Sequence, residues 1–79
     1  MKITYDREVD ALYIRFNETT VTTKQVEDGI ALDYDASHRL AGIEILDAAQ
    51  RLADQDTLGR VVFESGAHSE PSERTVAAP

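Results

Sequence analysis

The sequence predicts an α+β fold: a single antiparallel sheet of about five strands, made of two well-registered hairpins plus an edge strand, packed against one short C-terminal helix. Three observations predict it. Apolar and polar residues alternate through 3–16 and again through 29–45. Turn-forming residues interrupt that alternation at Asp6 to Asp10, at Asp28-Gly29 and at Ser37-His38. Beyond Leu46 the apolar spacing changes from two to three or four residues, between a candidate cap at Asp47 and a candidate stop at Gly59.

The first hairpin spans about 2–6 and 11–16. A turn centred on Glu8-Val9 pairs Tyr5 with Leu12 and Ile3 with Ile14, so all four point to one face and register agrees with pattern. The stretch Val21 to Val26 is rich in β-branched residues and reads as the edge strand. Its connection to the next strand has two solutions. A two-residue Asp28-Gly29 turn sends Glu27 and Gln25 to the apolar face. A three-residue loop with Gly29 in the left-handed region sends Val26, Lys24 and Thr22 there instead, and is preferred. An inward lysine is tolerable at a sheet edge, where it blocks strand addition.

The second hairpin follows from Gly29 to Asp35 and Leu40 to Ile45. A turn at Ser37-His38 pairs Ile30 with Ile45, Leu32 with Ile43 and Tyr34 with Ala41, which leaves Asp33, Asp35 and Glu44 on the other face. A slip of one residue would turn these carboxylates inward, so the register is strongly specified. The helix reads from Asp47, as N-cap with Gln50 completing a capping box, to Gly59, with Ala49, Leu52 and Ala53 as its apolar stripe. Arg60 to Glu64 is a strand, a continuation of the helix, or an arm onto another subunit. The folded domain therefore covers 1–64, and 65–79, which is Ser-, Glu-, Pro- and Ala-rich, reads as a disordered C-terminal tail.

A folded unit of this size buries only about 60% of the surface its unfolded chain exposes and usually needs a staple. The chain has no cysteine, and its two histidines include His68 in the tail, so disulfides and a structural zinc site are not expected. Self-association, as a homodimer or higher homo-oligomer, is the economical staple. Fifteen acidic residues against eight basic ones give a net charge of −7. Such a surface repels nucleic-acid phosphates and anionic lipid; it is explained first by solubility, and more sharply by attraction to a basic protein partner. Neither nucleic acid nor membrane is expected as a partner, and the absence of a long apolar run or a signal-peptide core makes cytoplasm the expected compartment.

Two groups of residues could carry chemistry. In Asp6-x-Glu8-x-Asp10 alternating carboxylates could converge on a cation, but the spacing lacks the glycine and closing glutamate of a calcium loop, and turn capping explains it better. Asp33, Asp35, His38 and Glu44 are the candidates for a divalent-cation or acid–base site. They lie on an open face with no element left to cover it, which disfavours catalysis. Tyr13 and Arg15 share that outward face with Lys2 and Thr4. No nucleophile elbow, phosphate loop or dinucleotide fingerprint occurs, and no cofactor is expected.

Two stretches carry a family resemblance. Tyr5-Asp6-Arg7-Glu8-Val9-Asp10-Ala11-Leu12-Tyr13-Ile14 follows a Y-D-x-E-x-D-A-L-Y-I opening. Gly29-Ile30-Ala31-Leu32-Asp33-Tyr34-Asp35, with Gly42-Ile43-Glu44-Ile45-Leu46-Asp47-Ala48, follows G-I-x-L-D-Y-D and G-I-E-I-L-D-A. Together they resemble the small bacterial family called domain of unknown function 2283, or YuzE-like, over about residues 1–50. The resemblance implies a compact antiparallel sheet with one helix. It brings no reaction and no catalytic residue. It is associated with gene neighbourhoods resembling toxin–antitoxin pairs, beside small basic nuclease-like proteins, which suits an acidic binding role.

The functional expectation is a small acidic non-enzymatic interaction module, binding or neutralising a basic protein in the manner of an antitoxin. The alternative is a small enzyme or divalent-cation-binding protein using the carboxylate cluster of the second hairpin; a third reading is a site that the monomer lacks, built when an oligomer presses two outward faces together around Tyr13, Arg15 and the carboxylates.

Overall fold

A computed structural model describes residues 1–66. The expected tail 65–79, with His68, lies outside the described residues apart from Ser65 and Gly66. Five strands, β1 (Lys2–Asp6), β2 (Ala11–Arg15), β3 (Thr22–Glu27), β4 (Ile30–Tyr34) and β5 (Leu40–Leu46), precede one turn of α-helix, α1 (Ala48–Arg51), and a 3-10 segment, Gln55–Gly59. All pairings are antiparallel, in the order β1-β2-β5-β4-β3, so β5 is central and β1 and β3 are the edges.

The first hairpin has the expected register, with Tyr5 opposite Leu12 and Ile3 opposite Ile14. Its turn is braced by the Asp6 carboxylate, which accepts the Glu8 N–H at 2.9 Å. Asp10 ends the turn in the left-handed region at φ 55°, which Asp tolerates better than most residues. In the second hairpin Ile30 faces Ile45, Leu32 faces Ile43 and Asp33 faces Gly42, as alternation requires. The pairing then shifts, and Tyr34 stands opposite Leu40 rather than the expected Ala41. His38, at φ 64°, adds a left-handed residue to the turn, and the extra residue becomes a bulge in β5. That bulge is used: the Ala41 carbonyl accepts the N–H groups of both Phe16 and Asn17, at 2.8 and 3.3 Å, where β2 ends.

The β3–β4 connection combines both expected solutions. Glu27 pairs with Ile30 across a two-residue Asp28-Gly29 turn, with Gly29 at φ 87°. A register shift between Gln25 and Glu27 leaves Val26 unpaired and half exposed, and restores Lys24 opposite Leu32 and Thr22 opposite Tyr34. Val26 therefore does not take the inward position expected of it, and Glu27 does. Gly29 is required twice over, by its positive φ and because a Cβ there would overlap the Arg51 guanidinium. Arg51 donates to the carbonyls of Leu46 at 2.8 Å and Asp28 at 2.5 Å, and lies 3.5 Å from Glu27. One side chain thus fastens the β3–β4 turn to the end of β5.

The helix differs most from expectation. Instead of about three turns from Asp47 to Gly59, it has four residues, and Gln55–Gly59 forms a separate 3-10 segment. Asp47 is left-handed at φ 53° and its side chain makes no capping bond. The cap comes from the first hairpin: Asp10 offers its carbonyl to the Ala48 N–H at 3.0 Å and its carboxylate to the Ala49 N–H at 3.0 Å. The helix stops early because Leu52 leaves the helical region, extended at ψ 149°. Gly59 keeps a negative φ, and the Asp54 carboxylate starts the 3-10 segment by accepting from Asp56.

The sheet sorts its side chains as the pattern demands. One face carries Ile3, Tyr5, Leu12, Ile14, Ile30, Leu32, Ile43 and Ile45 in two cross-strand rows. The other carries Lys2, Thr4, Tyr13, Arg15, Thr23, Asp33 and Glu44. Among the described residues the buried apolar ones are Leu12, Ala41 and Ala48, and no large side chain is fully buried.

Candidate functional site

The polar face carries the most organised cluster of side chains. Register places Lys2, Arg15, Gly42, Asp33 and Thr23 in one row across all five strands. Tyr13 sits in the next row, opposite Glu44. Its ring leans diagonally across β5, and its hydroxyl donates to one Asp33 oxygen at 2.5 Å. The Thr23 hydroxyl donates to the other oxygen, also at 2.5 Å. The diagonal reach depends on Gly42, because a Cβ at that position would overlap the Tyr13 hydroxyl. Side chains from β2 and β3 thus converge on one carboxylate of β4, the first of them across the glycine of β5.

Charge follows geometry. The Thr23 hydroxyl, then the Tyr13 hydroxyl, with Arg15 nearby, hold the Asp33 carboxyl below its ordinary range despite partial burial. The same bond to Asp33 raises the Tyr13 phenol, since a phenolate beside a carboxylate loses the hydrogen bond and meets a like charge. The Arg15 guanidinium lies 5.1 Å from the Tyr13 ring centre and 3.1 Å from Glu18. Tyr13, Arg15, Asn17, Thr19, Val21, Asp33 and Glu44 line a shallow, open concavity of about 370 Å³.

The expected candidates divide into two places. Asp33 and Glu44 share this concavity. Asp35 and His38 belong to the β4–β5 turn, where Asp35 accepts the backbone N–H groups of Ser37 at 2.9 Å and Arg39 at 2.8 Å. The Arg39 N–H leads in holding its carboxyl below the ordinary value, with Ser37 adding to it. His38 stacks on Tyr34 with ring centres 4.8 Å apart. Among the described residues no three His, Cys, Asp or Glu side chains converge in a way that could hold a metal ion. Asp6 and Asp10 of the acidic turn are likewise turn and helix caps, and the Tyr5 hydroxyl donates to Asp10 at 2.6 Å.

Chemically, the cluster holds protons still. Asp33 has both oxygens engaged and a lowered pKa, so it is a poor base near neutrality, and the raised phenol of Tyr13 is a poor acid. The Tyr13–Asp33 bond was not foreseen in the sequence. Its signal was a mid-strand glycine opposite an aspartate, with an outward tyrosine one row away.

The model of a family described as protein of unknown function (DUF2283) matches residues 2–48. The chain belongs to the DUF2283 family. No curated protein and no solved structure matches it. The DUF2283 match runs from the first residue of β1 to the first residue of α1, so it takes in the whole sheet, the Tyr13–Asp33–Thr23 cluster and the Asp10–Ala48 contact. Membership in DUF2283 carries no activity. No helix among the described residues is long and apolar enough to cross a membrane.

Proposed function

We propose that this chain is a non-enzymatic interaction module that binds a basic protein partner, in the manner of an antitoxin. One observation supports this reading above the others. The β1–β2 turn, the β3–β4 turn and the β5–α1 junction lie at the same end of the sheet, because Asp6, Ala11 and Leu46 share one cross-strand row and Glu27, Ile30 and Ile45 share the next. That end gathers Asp6, Glu8, Asp10, Glu27, Asp28 and Asp47 against Arg7 and Arg51. Glu8, Asp28 and Asp47 are exposed. Like charges from three separate connections produce a local potential that attracts a cationic surface and speeds its encounter.

The test is affinity capture with the full chain in its native host. A stoichiometric partner of high isoelectric point is expected, and its retention falls as salt rises, since the attraction is screened. Retention is lost when Glu8, Asp28 and Asp47 are all changed to lysine. Absence of any stoichiometric basic protein at low salt, or binding indifferent to the charge reversal, sinks the reading.

A further inference from the structure

We propose that the apolar sheet face over β5 and β4, together with the extended arm Val61–Phe63, is the contact surface for a second copy of this chain. In a covered sheet the inward residues of central strands are the most buried. Here Ile43 and Ile45 on the middle strand, and Ile30 and Leu32 beside them, are only half buried. The C-terminal segment packs toward the other half of the sheet: Leu52, Leu58 and Val61 line an open groove of about 520 Å³ with Met1, Ile3, Tyr5, Leu12 and Ile14. Val61, Val62 and Phe63 then run on with 67%, 63% and 81% of their surface exposed.

Three arguments make the occupant a second copy. The first is stability. Leu12, Ala41 and Ala48 are the buried apolar residues among those described, and a chain this small needs further apolar cover to fold durably. The second is area. The three strands left open, β5, β4 and β3, lie about 4.8 Å apart and run roughly 20 Å, a face near 300 Å². With the arm added it stays below the roughly 800 Å² per partner of a standard interface, which fits a concentration-dependent dimer. The third is charge. A chain of net charge −7 meets itself least unfavourably on the surface with fewest carboxylates. The two apolar rows carry charge at their β3 ends alone, as Lys24 and as Glu27 beside Arg51, so the charge on this face is confined to one edge. Residues 67–79 contribute one branched aliphatic, Val76, too little apolar surface to serve as the cover. The surface meets the acidic turn end at Glu27 and Arg51, but Glu8, Asp28 and Asp47, whose reversal tests that end, lie outside the apolar rows, so the two proposals are tested separately.

Sedimentation of the full chain is expected to show a species of twice the chain mass, with a melting temperature that rises with concentration, as dimer-coupled folding requires. The chain has no cysteine, so single introduced thiols report the face directly. Leu32→Cys is expected to form disulfide-linked dimers under mild oxidation in several-fold higher yield than Thr4→Cys on the polar face. A folded monomer up to millimolar concentration overturns the proposal. So does a melting temperature independent of concentration, or cross-linking at Thr4→Cys that equals or exceeds that at Leu32→Cys.

Discussion

The two faces of this sheet are held by different physics. On the polar face, order comes from direction: two hydroxyls aim at the two oxygens of Asp33, and Gly42 clears the path for one of them. On the apolar face, order comes from burial, and Leu12 is the one large apolar side chain among the described residues with less than a tenth of its surface exposed. Hydrogen bonds in a partly exposed cluster each contribute about 0.5–1.5 kcal/mol. A buried leucine contributes more, and its effect scales with how completely it is covered. The faces should therefore respond differently to substitution, to pH and to protein concentration.

Leu12→Ala gives the largest expected loss, about 2–4 kcal/mol in urea melts, because it removes the best-covered side chain of the apolar face. In a domain of this size that corresponds to a fall in Tm of roughly 10 °C or more. A loss under about 1 kcal/mol would mean that the apolar face contributes little.

Gly42→Ala is next, at about 1–3 kcal/mol. The new methyl displaces the Tyr13 hydroxyl and leaves Asp33 short of a donor, with no change in the apolar rows. Combining it with Tyr13→Phe should add less than the sum of the separate effects, since both break one bond. Full additivity would show that the two residues do not act together.

Asp10→Ala is expected to cost about 1–2 kcal/mol, as loss of an N-cap does, and Asp10→Asn less, because asparagine keeps an acceptor and tolerates the left-handed backbone. Amide exchange at Ala49 should accelerate in Asp10→Ala. An unchanged rate there would remove the long-range cap from the account of α1.

The smallest effect, about 1 kcal/mol, is expected for Tyr13→Phe, and its pH dependence sharpens the comparison. Asp33 has a lowered folded pKa, so its contribution is present above the unfolded value near pH 4 and is lost as pH falls through the folded pKa. Tyr13 has a raised folded pKa, so its contribution is present below the unfolded value near pH 10 and is lost as pH rises through the folded pKa. Removing the phenol should flatten part of the alkaline arm and soften the acid arm, where Thr23 still supports Asp33. Tyr5 contributes to the alkaline arm in the same sense, its phenol raised first by its bond to Asp10. An alkaline arm unchanged in Tyr13→Phe would detach the polar cluster from stability.

The residues themselves explain which features were legible in advance. Tyr5 faces Leu12 and Ile30 faces Ile45 because alternation and turn length fix a hairpin locally, and any slip exposes every apolar side chain at once. The same locality explains the misses. His38 and the Asp28-Gly29 turn each shift register by one residue, through left-handed geometry that alternation does not encode. Asp47 looked like a cap by its neighbours, while the cap in fact came from Asp10, distant in sequence. Of the candidate site, the outward placement of Asp33, Glu44, Tyr13 and Arg15 was legible. Their partition from Asp35 and His38 was not.

The sequence by itself determined two hairpins, an edge strand, the separation of apolar and polar faces, and the family to which they belong. Only the tertiary structure decided that β2 lies beside β5, that Asp10 starts α1, and that Tyr13 reaches Asp33 over Gly42. The physical reason is range. A hairpin is closed by a turn whose residues carry the signal. The β2–β5 pairing joins segments about thirty residues apart, where the entropy of closure varies only slowly with length and no single residue marks the partner.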